Sequence, residues 1–395
     1  MNTTILRWFL FGWCVCLGGV FEVDGWAEES PCGAVESALR IAGELRGLTR
    51  ESAPRCRVVS RATAQAILTG DLAPQIDRAA LEAEAVVYRL LGFLPAEFDY
   101  VGCVLDGYGG DTPAFYRHGR DEIVVAEGQV PFELLIHEAV HALQHHRFDL
   151  GALASRSAQT SDGWLARFGL VEGDAMGIEA ASAAVSPLGA GSSLGAVSES
   201  PPPPRCTIPP QLDDLLAFPY TVGREFVDGI RTQFGNAGVD RMFHRPPRSS
   251  SELLHPERYL ARIEKPERGG GASTKKGGGF SDTLGEYFIR TWLRLSLKAR
   301  EADQVAAEWR HDVVTLHQPA AAAPRLTWRT EWRDGRAARE FYAVVLRTLG
   351  ARFGLAPLRS ESPRILIGVP RFGSITLRYR DETVTIVIEG AALAA

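Results

Sequence analysis

The feature that most constrains the fold is a stretch that reads as one helix and is apolar on nearly every side. It covers residues 130–144, with Pro131 in the position expected for a first helical turn. A helix that is hydrophobic around its whole circumference belongs inside a large core. His137, Glu138 and His141 must then be buried too, and burying such groups is costly unless something satisfies them. The chain therefore needs both a core that encloses this helix and a partner for its polar groups.

These three residues form the pattern His-Glu-x-x-His, which is typical of catalytic zinc sites. Positions i and i+4 project from the same face of a helix, so His137 and His141 can both present a ring nitrogen to one Zn²⁺ ion. Glu138 then lies beside the open coordination position, where it can act as the general base on zinc-activated water. The alternative is a pair of hydrogen-bonded core histidines without a metal.

A catalytic zinc site needs a third protein ligand, and Glu172 is the residue that we predict. It lies in a second helix-like stretch, residues 164–176 and beyond. Glycine recurs every four residues there, at Gly169, Gly173 and Gly177. Such a stripe without side chains lets a neighbouring helix approach closely. Asp174 points to nearly the opposite side and is expected to be a supporting or capping group at best. The alternative for Glu172 is an ordinary solvated carboxylate.

Two further histidines, His145 and His146, are weaker candidates for the metal. Three histidines spaced by four span about two turns of a straight helix and cannot all reach one ion. The sequence also lacks a glycine after His141 that would turn the chain toward a third histidine ligand. We expect both residues to be partly exposed at the end of the helix, where its dipole favours a cation.

The composition excludes several classes of partner. The chain has 395 residues, of which 45% are hydrophobic, and a formal charge of −5. That length can bury a large core, as one domain or as two apposed lobes. The small negative charge predicts no nucleic-acid, polyanion or membrane-surface partner. The sequence does not indicate an oligomeric state.

The amino terminus, residues 1–27, is predicted to be a signal peptide. Its uncharged run, residues 8–20, is mostly apolar but too short to span a bilayer as a helix. The mature chain is therefore expected to begin at Glu28, to be extracellular or periplasmic, and to have no stable membrane insertion; an uncleaved anchor is the alternative. The remaining cysteines predict two disulfides, with all three pairings open. They are Cys32, Cys56, Cys103 and Cys206.

The rest of the chain divides by composition and periodicity. Residues 28–180 carry the predicted zinc ligands, residues 181–210 form an Ala-, Ser- and Pro-rich linker or insertion, and residues 211–395 form a helical lobe. Helices are predicted over residues 72–91, 223–234, 283–309 and 335–349. The overall prediction is an α+β fold that is predominantly helical.

Two groups of strands are predicted within this frame. Residues 113–116 and 122–126 form a β-hairpin directly before the metal helix. Its edge either docks an extended peptide or only covers the core. Residues 364–369, 374–380 and 382–389 alternate as a short antiparallel meander at the carboxyl end.

Several segments together resemble a family of exported neutral zinc metallopeptidases of bacteria and archaea, within the gluzincin-like group whose third ligand is glutamate. The most telling segments are His137 to Gln144 and Val171 to Ala175, and Leu254 to Tyr259 is among the others. The resemblance implies a zincin-like fold in which His137, His141 and Glu172 hold Zn²⁺ and Glu138 is the base. One departure follows Gln144, where the family pattern Asp-Gln-His-Phe-Asp is replaced by His-His-Arg-Phe-Asp. A charged contact near the helix end is thereby altered.

The leading functional hypothesis is hydrolysis of a peptide bond in a peptide or protein substrate. His255 is the predicted donor to the tetrahedral oxyanion and Tyr259 the second choice, because both lie in a polar loop that resembles the family's pattern. Packing or capping roles are the alternative for both residues. Two other functions stay open: an exported metal-binding or scaffold protein with a vestigial site, and a zinc amidase that acts on cell-wall peptides.

Overall fold

The structure is a computed structural model of the chain. It describes residues 30–72, 77–105, 112–148, 150–155, 160–185, 193–194, 206–265, 279–318, 323–352, 362–369 and 373–390. The predicted signal peptide and most of the predicted linker, residues 186–192 and 195–205, lie outside these ranges. Every helix within the ranges is too short or too polar to cross a lipid bilayer.

The predicted α+β class is confirmed, and more than half of the structure is helical. The helices of the first half are α1 (Val35–Arg46), α2 (Arg61–Leu72), α3 (Arg78–Leu90), α4 (Tyr100–Leu105), α5 (Phe132–Phe148), α6 (Leu150–Ser155) and α7 (Ser161–Ser182). Those of the second half are α8 (Pro210–Ala217), α9 (Val222–His244), α10 (Ser250–Leu254), α11 (Pro256–Ile263), α12 (Gly285–Arg294), α13 (Ala299–Ala306) and α14 (Gly335–Arg352).

The strands form a three-stranded sheet, a six-stranded sheet and one short pair. Those of the first half are β1 (Arg55–Val59), β2 (Ala114–Arg117), β3 (Glu122–Ala126), β4 (Val130–Pro131) and β5 (Ser193–Leu194). Those of the second half are β6 (Phe280–Asp282), β7 (Trp309–His317), β8 (Arg325–Trp332), β9 (Arg364–Val369), β10 (Gly373–Arg380) and β11 (Thr383–Gly390).

The predicted hairpin is present beside α5. β2 and β3 pair antiparallel with Tyr116 opposite Ile123, and the turn between them holds Asp121 at a φ of 48°. β1 adds to the other side of β3 in parallel, which gives the strand order β1-β3-β2. β2 is therefore an edge strand, and it packs against α5. The sequence analysis missed β1 because three of its five side chains are exposed and it shows no apolar alternation.

The glycine stripe of α7 acts as predicted. α9 packs closely along α7, and a Cβ atom added to Gly173 would collide with the backbone of Gly223. A Cβ atom on Gly177 would collide with the side chain of Asp228. α7 also packs against α5. Glu172 is thus carried on a helix that lies between its two neighbours and is buried along most of its length.

Two predicted helices differ from the structure at their ends. The helix predicted over residues 72–91 begins only at Arg78, because Asp77 caps it by accepting the backbone N–H of Ala80. The helix predicted through Phe234 does reach that residue, and Gly235 then interrupts it at a φ of 64°. The chain returns to helical geometry after this break, so α9 runs on to His244.

The carboxyl-terminal meander of β9, β10 and β11 is confirmed, but it is half of a larger sheet. The antiparallel order is β6-β7-β8-β11-β10-β9, and α14 packs against β8, β10 and β11. The prediction of a helix over residues 283–309 was therefore wrong at its end, since α13 stops at Ala306 and β7 begins at Trp309. Alternation of buried and exposed side chains in β7 becomes regular only after Asp312, too late to mark the boundary.

The structure also decides the cysteine pairing that the sequence left open. Cys32 pairs with Cys56, and Cys103 pairs with Cys206. The first disulfide ties the start of α1 to β1, and the second ties α4 to the segment before α8. Both disulfides of the prediction are thus present.

Candidate metal centre

The two histidines of the motif converge on one point from a single turn of α5. His137 is 5% exposed and His141 is fully buried. Their Nε2 atoms are 3.0 Å apart. Glu172 approaches from α7, with its Oε2 atom 3.2 Å from Nε2 of His137 and its Oε1 atom 3.5 Å from Nε2 of His141. Two helices therefore bring together the three residues predicted as ligands.

The spacing of these three groups fits a zinc ion. With metal bonds of about 2.1 Å and tetrahedral angles, neighbouring ligand atoms lie roughly 3.4 Å apart. The observed separations of 3.0, 3.2 and 3.5 Å lie close to that value. Within the described ranges, no other group of three or more His, Cys, Asp or Glu side chains converges in this way.

Glu172 supplies a second test of the fit. Its side chain is fully buried, and neither carboxylate oxygen has a hydrogen-bond partner among the residues that the structure describes. A buried carboxylate without donors is strongly unfavourable unless a cation neutralises it. The chemistry of the donor set, two imidazoles and one carboxylate, is that of catalytic zinc sites with three protein ligands.

Hydrogen bonds to the other ring nitrogens orient both histidines. Nδ1 of His137 is 2.9 Å from Oε2 of Glu179, and Nδ1 of His141 is 2.9 Å from Oε1 of Gln144. The amide nitrogen of Gln144 donates to the carbonyl of Val171 and to Asp174, at 3.0 Å each. Its oxygen must therefore be the atom that faces His141 and accepts a hydrogen bond from the Nδ1–H group. This leaves the lone pair of Nε2 directed toward Glu172.

Asp174 holds Gln144 in this orientation. Besides Gln144, its carboxylate accepts hydrogen bonds from Arg46 on α1 at 2.8 Å and from Arg231 on α9 at 2.5 Å. Arg46 is itself fully buried and also pairs with Asp240 at 2.8 Å. The sequence analysis gave Asp174 a supporting role at best, and the structure shows which group it supports. Through Arg46 and Arg231, α1 and α9 are thereby connected to Asp174, which contacts the glutamine beside His141.

Glu138 lies next to the three converging residues without belonging to them. It is 1% exposed, and its Oε2 atom accepts the backbone N–H of Tyr116 in β2 at 2.7 Å. Burial raises the pKa of Glu138 to about 7. The edge strand β2 thus holds a carboxylate whose pKa lies near neutral pH. The sequence placed Glu138 here but gave no signal for its bond to Tyr116.

The charges of the ligand groups are strongly linked. Burial opposes a charge on His137, but Glu172 and Glu179 outweigh it and raise the pKa of His137 well above its usual value. Burial likewise opposes the charge of Glu172, yet His141 and His137 more than offset it, so the pKa of Glu172 is lowered. A bound cation would take the place of the proton, because zinc binds neutral imidazole and ionised carboxylate.

The two residues predicted as oxyanion donors have other partners. Nε2 of His255 is 2.9 Å from Oε1 of Glu286, and the hydroxyl of Tyr259 donates to the carbonyl of Arg245 at 3.1 Å. The ring of Tyr259 packs edge-on against Phe226. His255 is not part of the converging group. The oxyanion role stays a prediction for both residues, while these contacts fit the alternative of packing and capping.

The two histidines at the end of α5 lie where they were expected. His145 is half-buried, with its ring 6.1 Å from that of Tyr116, and His146 is exposed. Neither joins the group that could hold a metal ion.

A cleft of about 200 Å³ opens beside His137. It is lined by Glu133, Met176, Glu179, Ala180, Ala183 and Arg224. The sequence analysis missed it, although helical spacing carried a signal. Glu133 lies four residues before His137, and Glu179 lies seven after Glu172, so each shares a helix face with a ligand.

Comparison with known proteins adds one finding for part of the chain. The sequence model of a family described as a domain of unknown function, DUF8575, matches residues 274–394. That segment contains the six-stranded sheet and helices α12 to α14, and it includes none of the three converging residues. No curated protein and no solved structure matches the chain. The fold and site thus define a protein with a buried His-His-Glu cluster on two packed helices.

Proposed function

We propose that this protein is an exported zinc-dependent hydrolase that cleaves peptide bonds. The observation that carries the proposal is the division of labour among four buried side chains. His137, His141 and Glu172 converge within 3.5 Å, while Glu138 is held beside them by the backbone of Tyr116. Three protein ligands with an adjacent carboxylate is the pattern of a catalytic zinc site rather than a structural one.

Each residue of the site has a defined part in this chemistry. A zinc ion held by His137, His141 and Glu172 would supply the Lewis acidity that activates water and polarises the scissile carbonyl. Glu138 accepts the proton of the attacking water and returns it to the leaving amine. Burial raises the pKa of Glu138 above its ordinary value, which favours this transfer because a general base works best near the ambient pH. Gln144 and Glu179 fix the orientation of the His141 and His137 rings through hydrogen bonds with their Nδ1 atoms.

The proposed zincin-like fold is the finer part of this proposal. It is supported by the hairpin that precedes α5, with β2 as its edge strand, and by a second helix that carries Glu172. A structural zinc site normally has four protein ligands, often thiolates, and here all four described cysteines are in disulfides. This favours the hydrolase over the non-catalytic metal-binding or scaffold protein.

The test combines metal analysis with digestion by the mature chain. The wild-type protein, treated with chelator and reloaded, should hold one zinc ion and cleave an unstructured casein-like protein. Glu138→Gln should keep the zinc and lose roughly 100-fold or more in turnover, since general-base catalysis contributes about 10²–10⁴. Glu44→Gln is the matched control, because Glu44 is 65% exposed on α1. Full turnover in Glu138→Gln, or no zinc in the wild type, would overturn the proposal.

A parallel digestion separates peptide-bond substrates. Folded protein, casein-like chains and cross-linked cell-wall peptides are offered side by side under the same conditions. Cleavage of the protein chains supports the peptidase, and cleavage of the wall peptides alone identifies the zinc amidase instead.

A further inference from the structure

We propose that Arg46, at the end of α1, is a positioning residue of the candidate metal centre. It fixes the ring of His141 through two buried side chains, Asp174 and Gln144, and a disulfide at the other end of α1 keeps it in place. The inference rests on the proposed function, because it concerns how tightly the proposed site holds zinc.

The contacts that lead to His141 meet on one oxygen atom. Oδ2 of Asp174 accepts a hydrogen bond from Nε of Arg46 at 2.8 Å and another from the amide nitrogen of Gln144 at 3.0 Å. The amide oxygen of Gln144 lies 2.9 Å from Nδ1 of His141. All four side chains are fully buried, so bulk water does not replace these contacts. Arg46 thus fixes the oxygen atom that in turn holds Gln144.

The second arginine beside Asp174 provides a comparison within the same carboxylate. Nη2 of Arg231 donates to Oδ1 of Asp174 at 2.5 Å, and Oδ1 does not contact Gln144. The side chain of Arg231 is 19% exposed and also pairs with Asp228. Without Arg46, Arg231 alone would attract the carboxylate, on the oxygen that Gln144 does not use. Without Arg231, both contacts of Oδ2 would remain.

The burial of Arg46 costs free energy that an apolar side chain would not cost. Its Nη1 atom has no hydrogen-bond partner among the described residues, and its Nη2 atom lies 2.8 Å from Oδ1 of Asp240. Replacement of buried ion pairs by apolar side chains is often neutral for stability or even stabilising. Stability alone therefore gives little reason for an arginine here, whereas the orientation of Gln144 does.

The helix that carries Arg46 packs on the helices of the metal centre through small side chains. α1 contacts both α5 and α7, and its buried apolar residues belong to the same hydrophobic cluster as those of α5. Those of α1 are Val35, Ala38, Ile41 and Ala42. Two of the four are alanines, so the apolar area that holds α1 in place is modest.

A disulfide supplements this packing. Cys32, just before α1, bonds to Cys56 in β1, and β1 is fixed by its pairing with β3. The closed loop contains the whole of α1, and such a cross-link restricts the states in which the helix is detached. The other disulfide serves a different part of the fold, because Cys103 belongs to a separate hydrophobic cluster.

The experiment measures zinc affinity by competition against a chromophoric chelator, on variants that circular dichroism shows to be folded. Arg46→Met should lower the affinity by about tenfold, because its effect reaches His141 only through Gln144. Arg46→Lys, which can keep one donor near Oδ2, should recover part of the loss. Arg231→Met should cost about twofold at most, and Glu44→Gln, on an exposed face of α1, should cost nothing.

A double variant tests the route of the effect. In Gln144→Met protein, the added Arg46→Met substitution should lower zinc affinity by no more than about twofold, because the contact that Arg46 supports is already lost. The visible spectrum of Co²⁺-loaded protein reports the ligand geometry. It should shift in the same direction in Arg46→Met and Gln144→Met, and shift least in Arg231→Met.

Two pairs of cysteine substitutions test the disulfide. Cys32→Ser with Cys56→Ser should lower zinc affinity by about three- to tenfold, because α1 is then docked for only part of the time. The same pair should have no further effect in Arg46→Met protein. Cys103→Ser with Cys206→Ser is the matched control, which should lower the free energy of unfolding but leave zinc affinity unchanged.

The outcomes separate this inference from the proposed function. Unchanged affinity in Arg46→Met, equal losses in Arg46→Met and Arg231→Met, or losses from Arg46 and Gln144 that multiply in the double variant overturn the positioning role. Equal affinities in the two cysteine pairs overturn the part of the disulfide. Wild-type protein that shows these dependences but cleaves no peptide removes the hydrolase and leaves the role of Arg46. Wild-type protein that cleaves peptides while its zinc affinity does not depend on Arg46 does the reverse.

Discussion

The candidate metal centre and the six-stranded sheet both bury carboxylates, but the surroundings of these carboxylates are opposite in kind. Asp312 in β7 is fully buried and accepts four hydrogen bonds, from the backbone of Leu284 and Gly285 and from the indoles of Trp309 and Trp328. Glu172 is equally buried and has no hydrogen-bond donor among the described residues. A buried acid surrounded by donors organises structure, whereas one that faces only ring nitrogens is prepared for a cation.

The same contrast extends to the neighbours of Asp312. Asp282 accepts hydrogen bonds from Ser161 and from the backbone of Thr283, and Glu84 accepts them from two tyrosine hydroxyls. The contacts of Asp282 join the start of α7 to the six-stranded sheet, and those of Glu84 join α3 to α4. Burial nevertheless raises the pKa of Glu84 to about 8 and that of Asp282 to about 6. Around Glu172 the pKa moves the other way, because histidines lower it.

The largest effect on stability is expected from Asp312→Ala. It leaves two indole and two backbone N–H groups buried without an acceptor, which should lower the free energy of unfolding by about 3–5 kcal/mol. Chemical denaturation measures the loss, and zinc content should be unchanged in the protein that remains folded. A loss of zinc alongside intact stability would contradict the comparison.

The next effect is expected from Glu172→Gln, which keeps the size of the side chain and removes its charge. Zinc affinity should fall by more than about 100-fold, beyond the 10–100-fold typical of lost supporting contacts. Stability without metal should fall, because the histidines lower the pKa of Glu172 and its ionised carboxylate therefore favours the folded state. Competition against a chromophoric chelator gives the affinity, with Glu44→Gln as the control. An affinity that stays near that of the wild type would show that Glu172 is not a ligand.

A smaller effect is expected from Gln144→Met. Methionine fills a similar volume but neither accepts the Nδ1 proton of His141 nor donates to Asp174. Zinc affinity should fall by about 10–100-fold, the usual cost of losing a contact behind a ligand. Asp174 keeps both arginine partners, so the fold should survive. Unchanged affinity in a folded variant would remove Gln144 from any role in positioning His141.

The smallest effect concerns pH and separates the two regions without metal. The native pKa values of Glu84 and Asp282 lie above their ordinary values of 4.5 and 3.8. Between those limits the native state holds protons that the unfolded chain has released, so stability falls as pH rises from about 5 to about 8. Each group contributes at most roughly 1.4 kcal/mol per pH unit.

Denaturation in the presence of a chelator at several pH values measures this slope. Glu84→Gln should reduce it over the upper half of the range, where Glu84, unlike Asp282, still titrates. An identical slope in wild type and variant would show that Glu84 is not protonated in the native state.

Local patterns predicted much of the fold, and long-range contacts account for part of what was missed. α5, the hairpin and the carboxyl-terminal meander were found because apolar periodicity and turn residues are readable over short windows. β1 was missed, and its partner β3 lies far away in the chain. β7 and β8 were not recognised as strands, although they follow each other, pair antiparallel, and the side chains of β8 alternate between exposed and buried. Trp328 also pairs with Ile386 in β11, and no local pattern predicts that distant contact.

The same distinction between local pattern and long-range packing applies to the candidate site. The sequence by itself determined that His137 and His141 share a helix face with Glu138 beside them, because that relation is set by helical spacing. It also singled out Glu172. Only the tertiary structure decided that this carboxylate has no hydrogen-bond donor among the described residues, and that Val171 and Asp174 on α7 hold Gln144 with its amide oxygen toward His141. Those facts depend on how α1, α5, α7 and α9 pack, and packing joins residues whose separation along the chain carries no record of their contact.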